Sequence, residues 1–285
     1  MVQSFGLILK REMKTTTYIH IGYHKTGSTF LQKRIFPKLP VNLITAPDIN
    51  YISDSETFDP DLFTAEVKKR PHSAKFAKTV ISQEGFSGSS DGNPARDPFR
   101  IGERLKQAFP EGKIIIVTRD PEDYILSLYA FRVAVRGLET RTLERYLKAK
   151  GSQLSKKLDY SKLIDHYKTL FGEDSVLVLT YEELKTSPHQ FTAKLADFIG
   201  EKFNETISFS PENRGMRSIA LLKFHRTLNI FAGVTIYMIR NFKLAAPGYS
   251  WPIKLYFFFK RYILNPILKI CFGMFQMKQL GNKIQ

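Results

Sequence analysis

Lys25, set between His24 and Thr26 and followed by Gly27, Ser28 and Thr29, is placed to do anion chemistry. The stretch from Tyr18 to Gln32 reads YIHIGYHKTGSTFLQ. Its β-rich apolar run ends at Gly22, a short loop follows, and a helical start begins at Ser28. A strand that turns through two glycines into a helix N-terminus builds an anion cradle. The glycines admit close backbone approach, and the free N–H groups of the first turn and the helix dipole favour negative charge. Lys25 adds a full positive charge, and the Ser28 and Thr29 hydroxyls add donors. In a nucleoside-triphosphate loop of the G-x-x-x-x-G-K-[ST] type, Lys directly follows the second Gly. Here Gly22 and Gly27 have that separation, but Ser28 takes the Lys position and the lysine comes two residues before Gly27. No clear apolar strand ends in an Asp that would hold Mg²⁺, the metal on which triphosphate chemistry leans. The loop therefore reads as a phosphate cradle that works without Mg²⁺; the structural alternative is a plain strand–turn–helix with a surface Lys.

A second cradle is legible in Lys113–Tyr129, KIIIVTRDPEDYILSLY. Ile114–Val117 is uniformly apolar and β-branched, as a strand buried on both faces requires. Pro121 suits the first position of a helix, and Glu122 and Asp123 complement its N-terminal dipole. Arg119 then sits at the carboxyl end of a strand, where open α/β sheets bind ligands. Ser127, two turns into the helix, is placed to face the same anion. The alternative is an Arg119 ion pair with Asp120 or Asp123 and an incidental serine. Glu84 follows a further strand, Thr79–Ser82, and puts a carboxylate at the same sheet edge or, alternatively, in a solvated loop. His20, His72, His166, His189 and His225 show no metal-ligand spacing, and no metal site is expected.

His24-Lys25-Thr26-Gly27-Ser28-Thr29 resembles the 5′-phosphosulfate loop of the sulfotransferases, and Arg119-Asp120-Pro121, with Ser127 and Tyr129 beyond, resembles their 3′-phosphate motif. Val176–Leu184 is similar to the family's later strand ending in Tyr-Glu-[DE]-Leu, and Asn213-Arg214-Gly215 to its late loop over the donor. The resemblance spans roughly residues 18 to 217. It implies 3′-phosphoadenosine 5′-phosphosulfate (PAPS) as donor, with Lys25, Thr26, Gly27, Ser28 and Thr29 at its 5′ end, Arg119 and Ser127 at its 3′-phosphate, and further contacts from Tyr181, Arg214 and Gly215. In sulfuryl transfer, charge grows on the bridging oxygen as its bond to sulfur breaks, and fixed donors aimed there are the main catalytic resource. Lys25 is the natural candidate. The acceptor hydroxyl needs a base; similarity to the polysaccharide-modifying members gives that role to Glu84, with His24 as rival. The implied acceptor is a carbohydrate or glycolipid hydroxyl. Two other readings remain open: an ATP-dependent small-molecule kinase with an atypical phosphate loop, and a non-catalytic basic membrane adaptor.

The elements that must position these residues alternate strand and helix. Strands are expected at Tyr18–Gly22, Asn42–Thr45, Lys78–Ser82, Lys113–Thr118 and Ser175–Thr180. Helices are expected at Ser28–Phe36, Asp61–Arg70, Pro98–Ala108, Pro121–Val135, Thr140–Ala149, Tyr160–Phe171 and Pro188–Ile199. This order predicts a three-layer α/β/α domain with a mostly parallel sheet over residues 1–217 and a helical C-terminal appendage over 218–285. Ser87–Pro98 (SGSSDGNPARDP) reads as a lid or acceptor-binding loop, and Gly151–Lys157 as a shorter polar break.

The charge is unevenly placed. All 27 acidic residues lie at or before Glu212, whereas the last 73 residues hold none and 12 Lys plus Arg, so most of the net charge of +16 falls there. Residues 228–275 mix aromatic and aliphatic groups with lysines and lack the unbroken apolar run of a spanning helix. They suit an interfacial segment on an anionic bilayer or a packed helical subdomain, and are too apolar for nucleic-acid binding to lead. The single Cys271 excludes an internal disulfide and suits a reducing compartment. The N-terminus lacks the pattern of a signal peptide, so the expected location is cytoplasmic, peripheral at the inner membrane face, with Met1 or Met13 as the start.

Overall fold

The computed structural model describes residues 16–45, 49–54, 56–69, 76–137, 139–203 and 222–230. The chain divides into two compact units. The first comprises Met1–Tyr124 with Ser152–Glu212, and the second Ile125–Gly151 with Asn213–Gln285. The second unit thus draws a segment from the middle of the chain, which the sequence reading had placed in the first domain.

In chain order the elements are β1 (Thr16–His20), α1 (Ser28–Phe30), β2 (Asn42–Thr45), α2 (Ile49–Asp54), α3 (Pro60–Lys68), β3 (Lys78–Ser82) and α4 (Pro98–Ala108). There follow β4 (Lys113–Thr118), α5 (Pro121–Phe131), α6 (Leu143–Lys157), α7 (Tyr160–Phe171), β5 (Val176–Thr180), α8 (Tyr181–Thr186) and α9 (Pro188–Ile199). The five strands form one sheet in the order β2-β3-β1-β4-β5, every neighbouring pair parallel. His20 pairs with Ser82, and Thr118 with Thr180. The carboxyl ends of β1, β3, β4 and β5 therefore finish at one edge, and the residues that follow them emerge side by side. The strand order reverses on either side of β1, the kind of switch point at which open α/β sheets bind ligands.

In the first unit the sheet is covered on both faces. Alternate residues of each strand project to opposite sides, so Tyr18, Val80, Ile115, Val117 and Leu179 pack with Phe30, Leu31, Phe36, Phe191, Leu195 and Ile199. On the other side α7 packs on β4 and β5, and α4 packs on α7. The expected α/β/α layering with a parallel sheet is what the structure contains.

Several boundaries differ. β1 ends at His20, although the Ile21 N–H still donates to the Ile115 carbonyl at 3.0 Å. The helix after the loop holds α-geometry only to Phe30 and then widens through a π-type turn, Leu31–Ile35, into a 3₁₀ turn, Phe36–Lys38. Pro37 brings no N–H to this run, which favours its end there. The helix expected at Thr140–Ala149 begins at Leu143, and the polar break expected at Gly151–Lys157 is helical: α6 runs on to Lys157. Buried Tyr146 and Leu154 lie eight residues apart on one face. That spacing outweighs the roughly 1 kcal/mol disadvantage of Gly151 in a helix.

The second unit contains the last part of α5, the first part of α6 and helical residues 222–230. Buried Asn229 donates from its amide to the carbonyls of Val133 (3.0 Å) and Glu139 (2.9 Å). Glu139, 1% exposed, accepts from Arg141 Nε and Nη2 at 2.8 and 2.9 Å. Beyond residue 230 the segment read as interfacial lies outside the described residues, as do Arg214 and Gly215. Among the described residues no helix is long and apolar enough to cross a membrane.

Asn229→Ala leaves two buried carbonyls without their donor, so it should destabilise the protein by about 1–3 kcal/mol. Urea unfolding measures this, and an unchanged midpoint would remove Asn229 as a strap within the second unit.

Candidate active site

The site is built on the first unit, where the loops after β1, β3, β4 and β5 meet. The loop after β1 carries two left-handed residues, Lys25 (φ 66) and Gly27 (φ 89). Such a sequence of backbone conformations turns successive N–H groups toward one point and forms an anion nest. Gly27 is the N-cap of α1, and its carbonyl accepts from Phe30 N and Leu31 N at 2.8 and 3.1 Å. Buried Thr26 closes the loop by donating its hydroxyl to the Tyr23 carbonyl. Ser28 and Thr29 open α1; Ser28 is 1% exposed and Thr29 half-buried.

Gly22 is required by close approach. A Cβ there would lie 2.5 Å from His20 Nε2 and 2.8 Å from Ser28 Oγ. His20 is fully buried, its Nδ1 2.7 Å from Ser82 Oγ, which also accepts from Gln32 Nε2 at 3.0 Å. Burial alone lowers the His20 pKa to about 4, so the ring is neutral at pH 7. The sequence reading gave His20 no role; it supports the floor of the loop, with only its position at the end of β1 as a signal.

Arg119, at the end of β4, reaches the loop directly. Its Nη1 donates to the Lys25 carbonyl at 2.8 Å. Its guanidinium lies 4.5 Å from the Tyr181 ring centroid and 3.6 Å from Asp123. The ion pair weighed in the sequence reading is therefore present, alongside a backbone bond the sequence could not show. Tyr181 opens α8, which Thr180 caps by accepting from Glu183 N at 3.1 Å. Ser127 is half-buried on α5 and belongs to the second unit.

Glu84 begins a 3₁₀ turn, Glu84–Ser87, directly after β3. Burial raises its pKa above the ordinary Glu value, while Ser28 and Lys25 hold it down. Burial lowers the Lys25 pKa; Glu84 opposes this and Arg119 adds to it. These reciprocal influences put Lys25, Ser28 and Glu84 within electrostatic reach of one another. His24 is different. Burial lowers its pKa to about 3, with Lys157, Lys25 and Arg96 adding to the shift and Asp91 opposing it.

Among the described residues Arg119 Nε and His24 Nδ1 are buried without a hydrogen-bond partner, and Ser28 Oγ faces Glu84. An orphaned donor on an arginine flanking a nest fits a bound oxyanion. Beside this cradle the loop expected as a lid is a chain of turns. Ser90 accepts from Tyr124 OH at 2.7 Å, and a Cβ on Gly92 would lie 2.3 Å from the Gln153 carbonyl. A cavity of about 520 Å³ lies along it, lined by Ser53, Ser89, Asp91, Asn93, Ala95, Arg96 and Arg100. Lys157, which no motif announced, completes the surroundings: its Nζ lies 4.5 Å from the Tyr23 ring centroid.

Residues 99–222 match the family model described as "Sulfotransferase domain". The match takes in Arg119, Ser127, Tyr181, Arg214 and Gly215; Lys25, Ser28 and Glu84 precede it, and Arg119 reaches back from the matched stretch to the Lys25 carbonyl. The chain is accordingly an enzyme of the transferase class. A sulfotransferase from Alicyclobacillus acidocaldarius has the same fold, at a TM-score of 0.52 and 16% identity over 77% of this chain and 96% of that one. A mouse sulfotransferase complexed with PAP aligns at a TM-score of 0.41 and 19% identity over 67% of this chain and 61% of that one. The sulfotransferase domain of the Synechococcus PCC 7002 olefin synthase aligns at 0.41 and 16% over 82% and 96%.

Gly22→Ala forces a methyl group against two buried side chains, an overpacking that should destabilise the protein by about 1–3 kcal/mol. Urea unfolding of the protein checks it; full stability would mean that the loop has room the geometry denies.

Proposed function

We propose that the protein transfers a sulfuryl group from PAPS to a hydroxyl of a carbohydrate or glycolipid acceptor. The observation that carries this reading is the convergence of Lys25, Ser28, Glu84 and Arg119 on one nest at the carboxyl edge of the sheet. The nest amides with Thr26, Gly27, Ser28 and Thr29 hold the 5′ end of the donor. Arg119 holds its 3′-phosphate and Tyr181 supplies a further donor contact; Ser127, Arg214 and Gly215 are assigned to the donor by the family resemblance alone. No metal is assigned to the site.

Glu84 takes the proton from the acceptor hydroxyl as that oxygen bonds to sulfur. Lys25 and Ser28 meet the charge left on the bridging oxygen as its bond to sulfur breaks. Preorganised donors of this kind act in a poorly hydrated site without reorganising at the moment of reaction. Glu84 suits the base role better than His24. A carboxylate whose pKa is raised by burial gains affinity for the proton it must take up. An imidazole whose pKa is about 3 among three cations has little affinity for a proton. The polar lining of the adjacent cavity, in which Ala95 is the lone apolar residue, favours a polyhydroxylated acceptor over a greasy alcohol. The basic, aromatic stretch 228–275 supports attachment to an anionic membrane surface on the cytoplasmic side, which would present a glycolipid to the site.

Titration calorimetry with 3′-phosphoadenosine 5′-phosphate (PAP), beside ATP and AMP and without Mg²⁺, tests the donor. Binding should require the 3′-phosphate; a preference for ATP restored by Mg²⁺ would move the protein to the kinases. Lys25→Ala should cut PAPS turnover by about 10²–10³-fold while partly keeping PAP affinity, and unchanged turnover would end the assignment. The acid limb of the pH–rate profile should fall above pH 4.5, the ordinary Glu value, because activity requires Glu84 ionised and its pKa is raised. Glu84→Gln should abolish that limb. Vesicles containing phosphatidylserine should co-sediment with the full chain at low salt and release it at high salt; no association would remove the membrane part.

A further inference from the structure

We infer that Lys157 is a positioning residue whose ammonium ties the turn carrying Glu84 to the donor loop. The inference rests on the reading of Glu84 as base. Lys157 is the last residue of α6, in the stretch where the sequence pattern suggested a break. Its Nζ donates to the Ser87 carbonyl at 2.7 Å and lies 3.4 Å from Ser87 Oγ. Ser87 Oγ in turn donates to the Glu84 carbonyl at 2.9 Å. On its other side the same Nζ lies over the Tyr23 ring at 4.5 Å. Tyr23 is 1% exposed, packs edge-on against Tyr160 at 4.7 Å, and offers its carbonyl to Thr26. One cation thus contacts both segments that must stay in register: the turn holding the proton acceptor and the loop holding Lys25.

The environment argues against a merely structural lysine. Lys157 is half-buried as a residue, but its charged end is turned inward, under Ser87 and Tyr23. Among the described residues no carboxylate lies within ion-pair distance of it. Asp91 acts on it from farther away, and burial lowers its pKa to about 7. An ammonium held out of water without a paired acid disfavours the fold relative to an apolar side chain of the same length. The directed bond to Ser87 and the cation–π contact to Tyr23 are what the charge provides in return.

The test is hydrogen exchange followed by mass spectrometry on the full chain, comparing Lys157→Met and Lys157→Arg with the parent. Lys157→Met should speed exchange in peptides covering residues 84–88 and 23–27 by about tenfold, leave exchange elsewhere unaltered, and leave the urea midpoint equal or higher. Lys157→Arg, which keeps charge and donors, should recover protection in part. Hydrolytic turnover of PAPS, with water as acceptor, should fall in Lys157→Met while PAP affinity stays within about threefold of the parent. Unchanged exchange at 84–88, or faster exchange throughout with a lowered midpoint, would overturn the inference. Glu84→Gln run in parallel separates the two claims: full turnover in that variant removes Glu84 as base, whereas the exchange data alone decide whether Lys157 holds the turn.

Discussion

The hydrogen bond from Arg119 to the Lys25 carbonyl is the constraint on which the rest of the site depends. Lys25 sits in the left-handed region, which is unfavourable by roughly 1–2 kcal/mol for a residue with a Cβ. Nothing in the residue's own chemistry sustains that conformation; the bond to its carbonyl from the neighbouring strand's end does. The bond exists because β4 lies directly beside β1 in the sheet, so the residue leaving one strand reaches the loop leaving the other. Asp123 and the Tyr181 ring then hold the guanidinium from two further directions. Sheet order thereby fixes loop conformation, and loop conformation fixes where the N–H groups and the Lys25 ammonium point.

Electrostatics divides the titratable groups around this loop into two sets. Lys25 and Glu84 are shifted by burial in the directions that weaken their charges, and each is partly restored by the other. Charges set against burial and facing one another in this way are a mark of functional sites. His24 has no acid to restore it comparably and is surrounded by cations, so its ring stays neutral through physiological pH. The two rival bases, Glu84 and His24, thus separate once their surroundings are known.

Much of this was legible in the sequence because it depended on local patterns. The β-branched run Ile114–Val117 could only be a strand buried on both faces, and the two-glycine turn into Ser28 could only be a strand-to-helix loop. The edge position of Glu84 and Arg119 followed from placing each directly after such a strand. What escaped were features set by contact between segments distant in sequence. Lys157 carries no motif, and its stretch read as a polar break because Gly151, Ser152 and the lysines around Leu154 masked a helical repeat. The crowding of Gly22 by His20 and Ser28 depends on side chains converging after the strand has turned. The inclusion of Ile125–Gly151 in the second unit was hidden for a similar reason, since the amide of Asn229 joins carbonyls about ninety residues away.

The distribution of charge carries one further consequence. The large positive balance of the chain lies mostly in its last 73 residues and says little about the site, where the cations are few and individually held. Arg119 and Lys157 each donate to a backbone carbonyl and lie against an aromatic ring, Lys25 is held by burial beside Glu84, and none is a solvated surface group. Their positive charge suits a multiply charged anion, while their burial makes each interaction less sensitive to salt than a surface contact would be. Salt should consequently weaken attraction mediated by an exposed basic surface before it weakens donor binding, so ionic strength distinguishes the two sources of positive charge in a way that net charge alone cannot.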